Sequence, residues 1–334
     1  MRQRSGVGIA MLVSVAVAAA LAQAQNAAAP LARSITVEPG VRVEVLDWGG
    51  PKDGSHARPL LFLSGLGDTA HVYDTFAPRF TDRFHVYAMT RRGFGASSKP
   101  APTDANYSAE RLGLDVVAVI DALHLERPVL VGHSIAGEEL SFVGSRYPQK
   151  VAGLIYLDAA DAYGFYDPVR GDTQIDLLDV KRQLDTFRTG TIYDRAFVDE
   201  LHASVAQLNR DMEREEIRLA EMPDVPAPPP PPPISLAVWF GMEKFTKVEA
   251  PAMAVFACPH DMTPAFRGPL ANDPMAQGAL RAFDLERCTD QSNAFERAMP
   301  ADPVVRIAGA NHRVFQSNPK VVTRAMLDFL AKLP

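Results

Sequence analysis

A serine enclosed by small residues lies where an apolar segment meets an amphipathic one. The segment GHSIAG (132–137) follows the apolar run PVLV and precedes EELSFVGSRYP. A serine on a sharp strand-to-helix turn needs small residues two positions away on either side, because larger side chains would collide there. Such a turn directs the hydroxyl away from the sheet and places helix amide donors behind it. The pattern therefore predicts that Ser134 is a nucleophile.

A nucleophilic serine needs a base and an acid that orients the base, and two later loops supply candidates. Asp261 follows the apolar segment PAMAVFACPH, and His312 follows the apolar segment PVVRIAG. Ligands of open α/β sheets bind at the carboxyl ends of the strands, which is where both loops and Ser134 are expected. We predict a catalytic triad of Ser134, His312 and Asp261.

The reaction also needs donors for the negative charge that develops on a substrate carbonyl oxygen. The segment LFLSGLGDTA (61–70) ends a predicted strand in a glycine-rich turn, so its backbone N–H groups can face that oxygen. We assign one donor to the amide of Leu66 and the other to the amide of Ile135, the residue after the nucleophile. These two amides form the predicted oxyanion hole.

The elements that position these residues alternate between apolar strands and helices. The segment 34–50 has the pattern of a β-hairpin, 71–80 and 108–125 have helical spacing, and 262–302 is polar without an assigned element. Short apolar segments predict buried strands, and they are 59–65, 84–90, 128–134, 151–160, 251–261 and 303–309. This alternation predicts an α/β fold with a mostly parallel sheet covered by helices on both faces.

The alternation stops between residues 161 and 250, which are charged and helical in pattern. Two apolar stripes there predict helix packing; they consist of Leu177, Val180, Leu184 and Phe187, and of Phe197, Leu201, Val205, Leu208 and Met212. Six consecutive prolines (228–233) predict a stiff extended spacer or the edge of a lid, with a recognition motif as the alternative. The segment is therefore predicted to be a helical insertion.

The first 24 residues have the pattern of a secretory signal peptide. Arg2 and Arg4 precede an apolar run, and AQA ends at Ala24. The alternative is a membrane anchor, but the alanine-rich run with a small-residue end favours cleavage after Ala24. We therefore expect an exported protein, periplasmic or secreted, with no stable membrane span after cleavage.

Composition and cysteine content restrict the partners. The 334 residues are 47% hydrophobic and 22% charged, with a formal net charge of −6, which argues against general nucleic-acid binding. Cys258 and Cys288 are candidates for a disulfide in an oxidising compartment, and two unpaired buried thiols are the alternative. Neither has metal-ligand spacing with another Cys or His, so no metal site is predicted.

Several of these motifs resemble those of the α/β-hydrolase superfamily, in its lid-bearing, esterase-like serine hydrolase group. The resemblance covers essentially all of the chain after the leader and includes FLSGLGDTA, MTRRGFGASSKP, VGHSIAG, PHD and GANHRVF. It implies an α/β-hydrolase core (25–160 and 251–334) and a lid with a proline-rich segment (161–250). It also favours Asp261 as the acid, while Asp158, at the end of LIYLD, holds the alternative acid position of some members.

The resemblance implies hydrolysis of a carboxylic ester, or a related acyl bond, of a small substrate through an acyl-enzyme, with no cofactor. An aspartate stands at the nucleophile position of haloalkane dehalogenases and epoxide hydrolases, so a serine disfavours those activities. Acyl transfer and cleavage of an amide or C–C bond on the same triad are the alternatives. A protein that binds a ligand in the same pocket without turnover is the alternative from another class.

Overall fold

The computed structural model describes residues 29–53, 57–188, 194–221 and 229–334. The predicted signal peptide (1–24) and the first of the six prolines lie outside the described residues. Across these four ranges, no helix combines the length and the apolar character that crossing a bilayer requires.

The described residues form an eight-stranded sheet. Its strands are β1 (Leu31–Glu38), β2 (Val41–Gly49), β3 (Pro59–Leu63), β4 (His85–Thr90), β5 (Val129–His133), β6 (Gly153–Leu157), β7 (Ala252–Ala257) and β8 (Val304–Ile307). Their order across the sheet is β1-β2-β4-β3-β5-β6-β7-β8. β2 pairs antiparallel with β1 and β4, and the pairs from β4 to β8 are parallel. The predicted α/β-hydrolase fold, with a mostly parallel sheet, is confirmed.

Helices cover both faces of this sheet. They are α1 (Asp104–Tyr107), α2 (Ala109–Ala122), α3 (Gly137–Arg146), α4 (Thr173–Arg188), α5 (Arg195–Glu221), α6 (Pro233–Phe240), α7 (Pro274–Ala298), α8 (Val314–Ser317) and α9 (Pro319–Leu330). One apolar cluster packs α2, α3 and α7 against the sheet, and a second packs α8 and α9. The fully buried central strands β3, β5 and β6 lie between these layers. This packing fixes the positions of their carboxyl ends.

Two local predictions differ from the structure. The segment 71–80 forms two short 3₁₀ turns, Ala70–Tyr73 and Ala77–Phe80, because Pro78 has no N–H to continue a helix through that point. The polar segment after residue 261 contains α7, a helix of 25 residues. Its buried side chains include Cys288, Gln291 and Ser292. Because two of these are polar, the sequence shows no apolar pattern that would predict the packing face of this helix.

The chain between β6 and β7 contains α4, α5 and α6. The buried carboxylate of Asp176 on α4 accepts a hydrogen bond from the hydroxyl of Tyr166 at 2.7 Å, and the Lys244 ammonium lies 2.5 Å from it. The predicted apolar stripe of α4 is only partly covered, since Leu177 is 55% exposed and Phe187 is 47% exposed. Polar contacts therefore hold α4 in place together with apolar packing.

Candidate active site

Ser134 lies in the strained turn between β5 and α3. Its φ angle is +54°, in the left-handed region that residues other than glycine rarely adopt. A Cβ atom added to Gly132 would lie 3.1 Å from the carbonyl oxygen of Ala136, so the turn requires a small residue there. The structure thus places Ser134 in the geometry that its sequence pattern predicts, and its role as nucleophile stays a prediction.

His312 is hydrogen-bonded to Asp158. The Nδ1 atom of His312, in the loop after β8, donates to Oδ2 of Asp158 at 2.7 Å. Asp158 follows β6 directly and is buried, and its Oδ1 atom accepts the backbone N–H of Ala257 at 2.9 Å. Burial raises the pKa of Asp158, but the hydrogen bonds from His260 and His312 outweigh it and lower the pKa to about 2. The carboxylate is therefore ionised and orients the His312 ring.

The structure does not bring Asp261 to His312. The Asp261 side chain is exposed, and its Oδ1 atom accepts the backbone N–H of Thr263 at 3.0 Å. The backbone N–H of Asp261 donates to the carbonyl of Ala310 at 2.8 Å, and this pairing leaves the side chain on the solvent side of the loop. This corrects the predicted position of Asp261: the structure pairs His312 with the alternative, Asp158, whose role as the catalytic acid stays a prediction.

His260 was missed by the sequence reasoning, although it precedes Asp261 directly. Its Nε2 atom donates to Oδ2 of Asp158 at 2.8 Å, and its Nδ1 atom donates to Oδ1 of Asp284 at 2.7 Å. Burial lowers its pKa, but the two carboxylates outweigh burial and raise the pKa to about 9. The segment PHD contains this histidine, but nothing in the sequence indicates that Asp284, on α7, lies beside it.

His133 is buried behind His312. Its Nε2 atom lies 3.1 Å from the carbonyl oxygen of His312, and the two ring centroids are 4.7 Å apart. Burial, assisted by the nearby His312, lowers the pKa of His133 to about 4. The neutral ring, with its proton on Nε2, therefore donates to the His312 carbonyl and holds the loop that carries His312.

Replacing His133 is expected to change how stability depends on pH. Between pH 6.5 and 4 the unfolded chain binds a proton at this histidine and the folded chain does not, so acid favours unfolding. The free energy of unfolding of wild type should fall by about 3 kcal/mol more than that of His133→Gln on acidification from pH 7 to 4. Urea denaturation at several pH values measures this difference. Parallel curves for the two proteins would contradict it.

The two predicted oxyanion-hole residues, Leu66 and Ile135, line the same cavity as Ser134. The loop before Leu66 approaches the nucleophile closely, since a Cβ atom on Gly65 would lie 3.3 Å from the Cβ atom of Ser134. The buried guanidinium of Arg91 donates to both carboxylate oxygens of Glu139 on α3, at 2.6 and 2.8 Å, and to the carbonyl of Gly65 at 3.4 Å. This bridge joins the glycine-rich loop to the helix behind Ser134.

Tyr163, at the start of the chain between β6 and β7, lines the same cavity as Ser134. Burial raises the pKa of the Tyr163 hydroxyl, so it is protonated at neutral pH. The next residue, Gly164, packs against the carbonyl of Ala159, and its own carbonyl accepts the hydroxyl hydrogen of Ser141. The backbone therefore fixes the position of Tyr163.

A cavity of about 1000 Å³ opens beside Ser134 and includes His312, Asp158 and His260. Its apolar lining includes Leu66, Ile135, Ile175, Ile217, Trp239, Met242, Phe256 and Phe283. Its charged lining comprises Arg170, Arg214, Arg218, Arg287, Asp161, Asp172, Asp211, Glu215, Asp284, Glu286 and Asp290. Because α4 and α6 contribute apolar residues to this lining and α5 contributes mostly charged ones, the segment between β6 and β7 determines much of the shape of this cavity.

Cys258 and Cys288 are joined by a disulfide, with their Cα atoms 5.4 Å apart. The bond links the end of β7 to α7 beside the cavity. Asp158, His260 and His312 offer a carboxylate and two imidazoles whose donor atoms lie within 4.8 Å of one another, as a metal site would. Two hydrogen bonds already join those atoms, so we interpret the cluster as a hydrogen-bonded group and not as a metal site.

Comparison with known families agrees with this geometry. The model of the alpha/beta hydrolase family matches residues 60–325, which include every strand from β4 to β8 and all three residues Ser134, Asp158 and His312. The chain belongs to the α/β-hydrolase family.

Known relatives of this α/β hydrolase include other hydrolases. It is 22% identical over 275 residues to the 2-(acetamidomethylene)succinate hydrolase of Mesorhizobium japonicum, covering 81% of this chain and 87% of that protein. The solved structure of E-2-(acetamidomethylene)succinate hydrolase has a TM-score of 0.53 at 19% identity and covers 90% of this chain and 99% of its own. The enol-lactonase from Burkholderia xenovorans LB400 has a TM-score of 0.54 at 14% identity, covering 90% and 100%. These structures share the fold, and the relatives support a hydrolase activity.

Proposed function

We propose that this α/β hydrolase is an exported serine hydrolase that cleaves a carboxylic ester of a small acyl substrate. The observation that carries the proposal is the position of Ser134 in a strained turn on the same cavity as the hydrogen-bonded pair of His312 and Asp158. A serine hydroxyl, an imidazole and an ionised carboxylate in that arrangement are the parts that acyl transfer through a covalent intermediate requires.

In the proposed mechanism the hydroxyl oxygen of Ser134 attacks the acyl carbonyl while the Nε2 atom of His312 takes the hydroxyl proton. The amides of Leu66 and Ile135 stabilise the negative charge on the tetrahedral oxygen. His312 then returns the proton to the leaving alcohol, and an acyl-enzyme remains on Ser134. Water, deprotonated by the same imidazole, releases the acid. Asp158 holds the ring and stabilises its cationic form, and the cycle uses no cofactor.

Cleavage of an amide is the second candidate, and the comparison favours it. The name of the relative's substrate, 2-(acetamidomethylene)succinate, contains an acetamido group, and the match covers 87% of that relative. Because ester and amide cleavage share the tetrahedral intermediate, the same residues serve both reactions. The leaving group alone distinguishes the two candidates.

The test compares p-nitrophenyl acetate and butyrate with p-nitroacetanilide on the purified mature protein. Ester hydrolysis that exceeds anilide hydrolysis, and that added methanol does not divert into methyl ester, is the expected result. Faster anilide cleavage would favour the second candidate, and preferential formation of methyl ester would favour acyl transfer. A folded protein that turns over none of the three substrates would contradict the proposal.

The proposed export rests on the N-terminal pattern and agrees with the disulfide between Cys258 and Cys288, since such bonds persist in oxidising compartments. Intact-mass measurement of the protein recovered from the periplasm or medium should give a chain that begins at Gln25. A full-length chain recovered from the cytoplasm alone would contradict export.

A further inference from the structure

One oxygen of the Asp158 carboxylate accepts hydrogen bonds from two histidines. Its Oδ2 atom lies 2.7 Å from Nδ1 of His312 and 2.8 Å from Nε2 of His260. The two imidazole centroids are 6.2 Å apart. The proposed base therefore shares its orienting acid with a second titratable ring, which the mechanism above does not use.

A second carboxylate holds that ring from the other side. Asp284 on α7 accepts the Nδ1 proton of His260 at 2.7 Å and its backbone N–H, also at 2.7 Å. The disulfide reinforces this arrangement, because Cys258 precedes His260 by two residues and Cys288 follows Asp284 by one helical turn. His260 is thus fixed in position and orientation at both ring nitrogens.

Both ring nitrogens of His260 donate to carboxylates, and this arrangement requires the doubly protonated ring. A neutral imidazole has one N–H and would present a lone pair to one of the two carboxylates. The raised pKa of His260, about 9, has the same cause, since the two carboxylates outweigh the burial of the ring. At neutral pH a cation therefore faces the orienting acid.

We propose that His260 and Asp284 are positioning residues that extend the Ser134, His312 and Asp158 arrangement and set the pH at which His312 becomes an effective base. The inference rests on the proposed serine hydrolase function. Protonated His260 offsets part of the negative charge that Asp158 presents to His312, so the cationic form of the His312 ring is stabilised less than it would be beside Asp158 and Asp284 without this second cation.

The other charged groups around His260 do not replace this cation. His312 and, behind it, neutral His133 face the cluster from the loop after β8 and from β5. Arg287 on α7 interacts with Asp158 over a longer distance and is paired with Asp161. Asp261, the neighbour of His260 in the chain, is exposed and turned toward Thr263. Removal of the His260 ring therefore leaves the Asp158 carboxylate paired with His312 and takes away the cation that lies between Asp158 and Asp284.

The test measures kcat/KM for p-nitrophenyl acetate from pH 5 to 9 in wild type and His260→Gln. We expect the acid limb of the variant, where activity falls as His312 is protonated, to move upward by about one pH unit. His71→Gln is the matched control, because His71 is an exposed histidine that pairs with Asp74 away from the cavity. Its profile should match that of wild type. An unshifted limb in His260→Gln, with Ser134-dependent activity intact, would overturn this inference and leave the proposed function standing.

NMR titration of the imidazole signals is a second readout, and it does not depend on turnover. Wild type should show a histidine with a midpoint near pH 9 that is absent in His260→Gln. If His260→Gln does not fold, Asp284→Asn serves instead and should move that midpoint downward, since one carboxylate is neutralised. No histidine with a midpoint above pH 8, or activity that EDTA abolishes and zinc restores, would overturn the inference.

Discussion

Ser134→Ala is expected to lower kcat for p-nitrophenyl acetate by about 10⁶-fold, the loss typical of removing a catalytic serine. Without the hydroxyl no acyl-enzyme can form, and His312 has no proton to take. The residual rate would come from the binding cavity and the amides of Leu66 and Ile135, which the substitution leaves in place. Steady-state assays at saturating substrate measure the loss.

Ser141→Ala is a suitable control for this variant. Ser141 lies on α3 and is buried, and its hydroxyl contacts Tyr156 and the carbonyl of Gly164 rather than the cavity. It should keep a kcat within a few-fold of wild type, although it should lose some stability because a buried hydrogen bond is removed. Equal activity of Ser134→Ala and wild type would show that hydrolysis does not pass through this serine.

Asp158→Asn is expected to lower kcat by about 10⁴-fold, whereas Asp261→Asn should leave it within a few-fold of wild type. An amide at residue 158 can present its NH₂ group to Nδ1 of His312, which favours the wrong tautomer and removes the charge that stabilises the imidazolium. Asp261 contacts only the backbone N–H of Thr263 among the hydrogen bonds described for its side chain. The pair of variants therefore tests which carboxylate orients the base.

The same two variants distinguish Asp158, which the structure places beside His312, from Asp261, which the sequence favours as the acid. Kinetics of both variants on one ester, with circular dichroism to verify folding, are sufficient. A 10⁴-fold loss in Asp261→Asn with little loss in Asp158→Asn would restore Asp261 as the acid and contradict the hydrogen bonding described for His312.

The sequence predicts the buried strands well, because strands that are buried in the fold consist mainly of apolar residues. The central strands of the parallel sheet are covered on both faces, so short apolar segments such as PLLFL and VLVGH identify them. The turn at Ser134 is predictable for a different reason, because its steric demands leave a local pattern of small residues. Both signals are contained within a few neighbouring residues.

The acid was harder to predict because two strands end in an aspartate-bearing loop on the same edge. Asp158 and Asp261 both follow a buried strand, and only the resemblance favours Asp261, whereas the choice depends on which side chain points toward His312. The backbone pairing of Asp261 with Ala310 turns its side chain outward, and a pairing of that kind leaves no mark in one sequence. Asp158, in contrast, has a φ angle of +50° at the end of β6, and its carboxylate accepts three hydrogen bonds.

The helix α7 and its contribution to the site could not be predicted for a related reason. Its buried face includes Gln291 and Ser292, and Gln291 donates to the carbonyls of Ala160 and Phe165. A helix that packs through polar groups lacks the apolar period on which sequence reasoning depends. Asp284 and its partner, His260, were therefore missed together.

Covalent labelling with a fluorophosphonate, followed by peptide mass spectrometry, tests the assignment of Ser134 as the nucleophile most directly. We expect one label per chain, located on Ser134 in the peptide that contains GHSIAG. Labelling should be fast in wild type and Asp261→Asn, much slower in Asp158→Asn, and absent in Ser134→Ala. A folded wild-type protein that takes no label, or a label located on a residue other than Ser134, would contradict the assignment of Ser134 as the nucleophile.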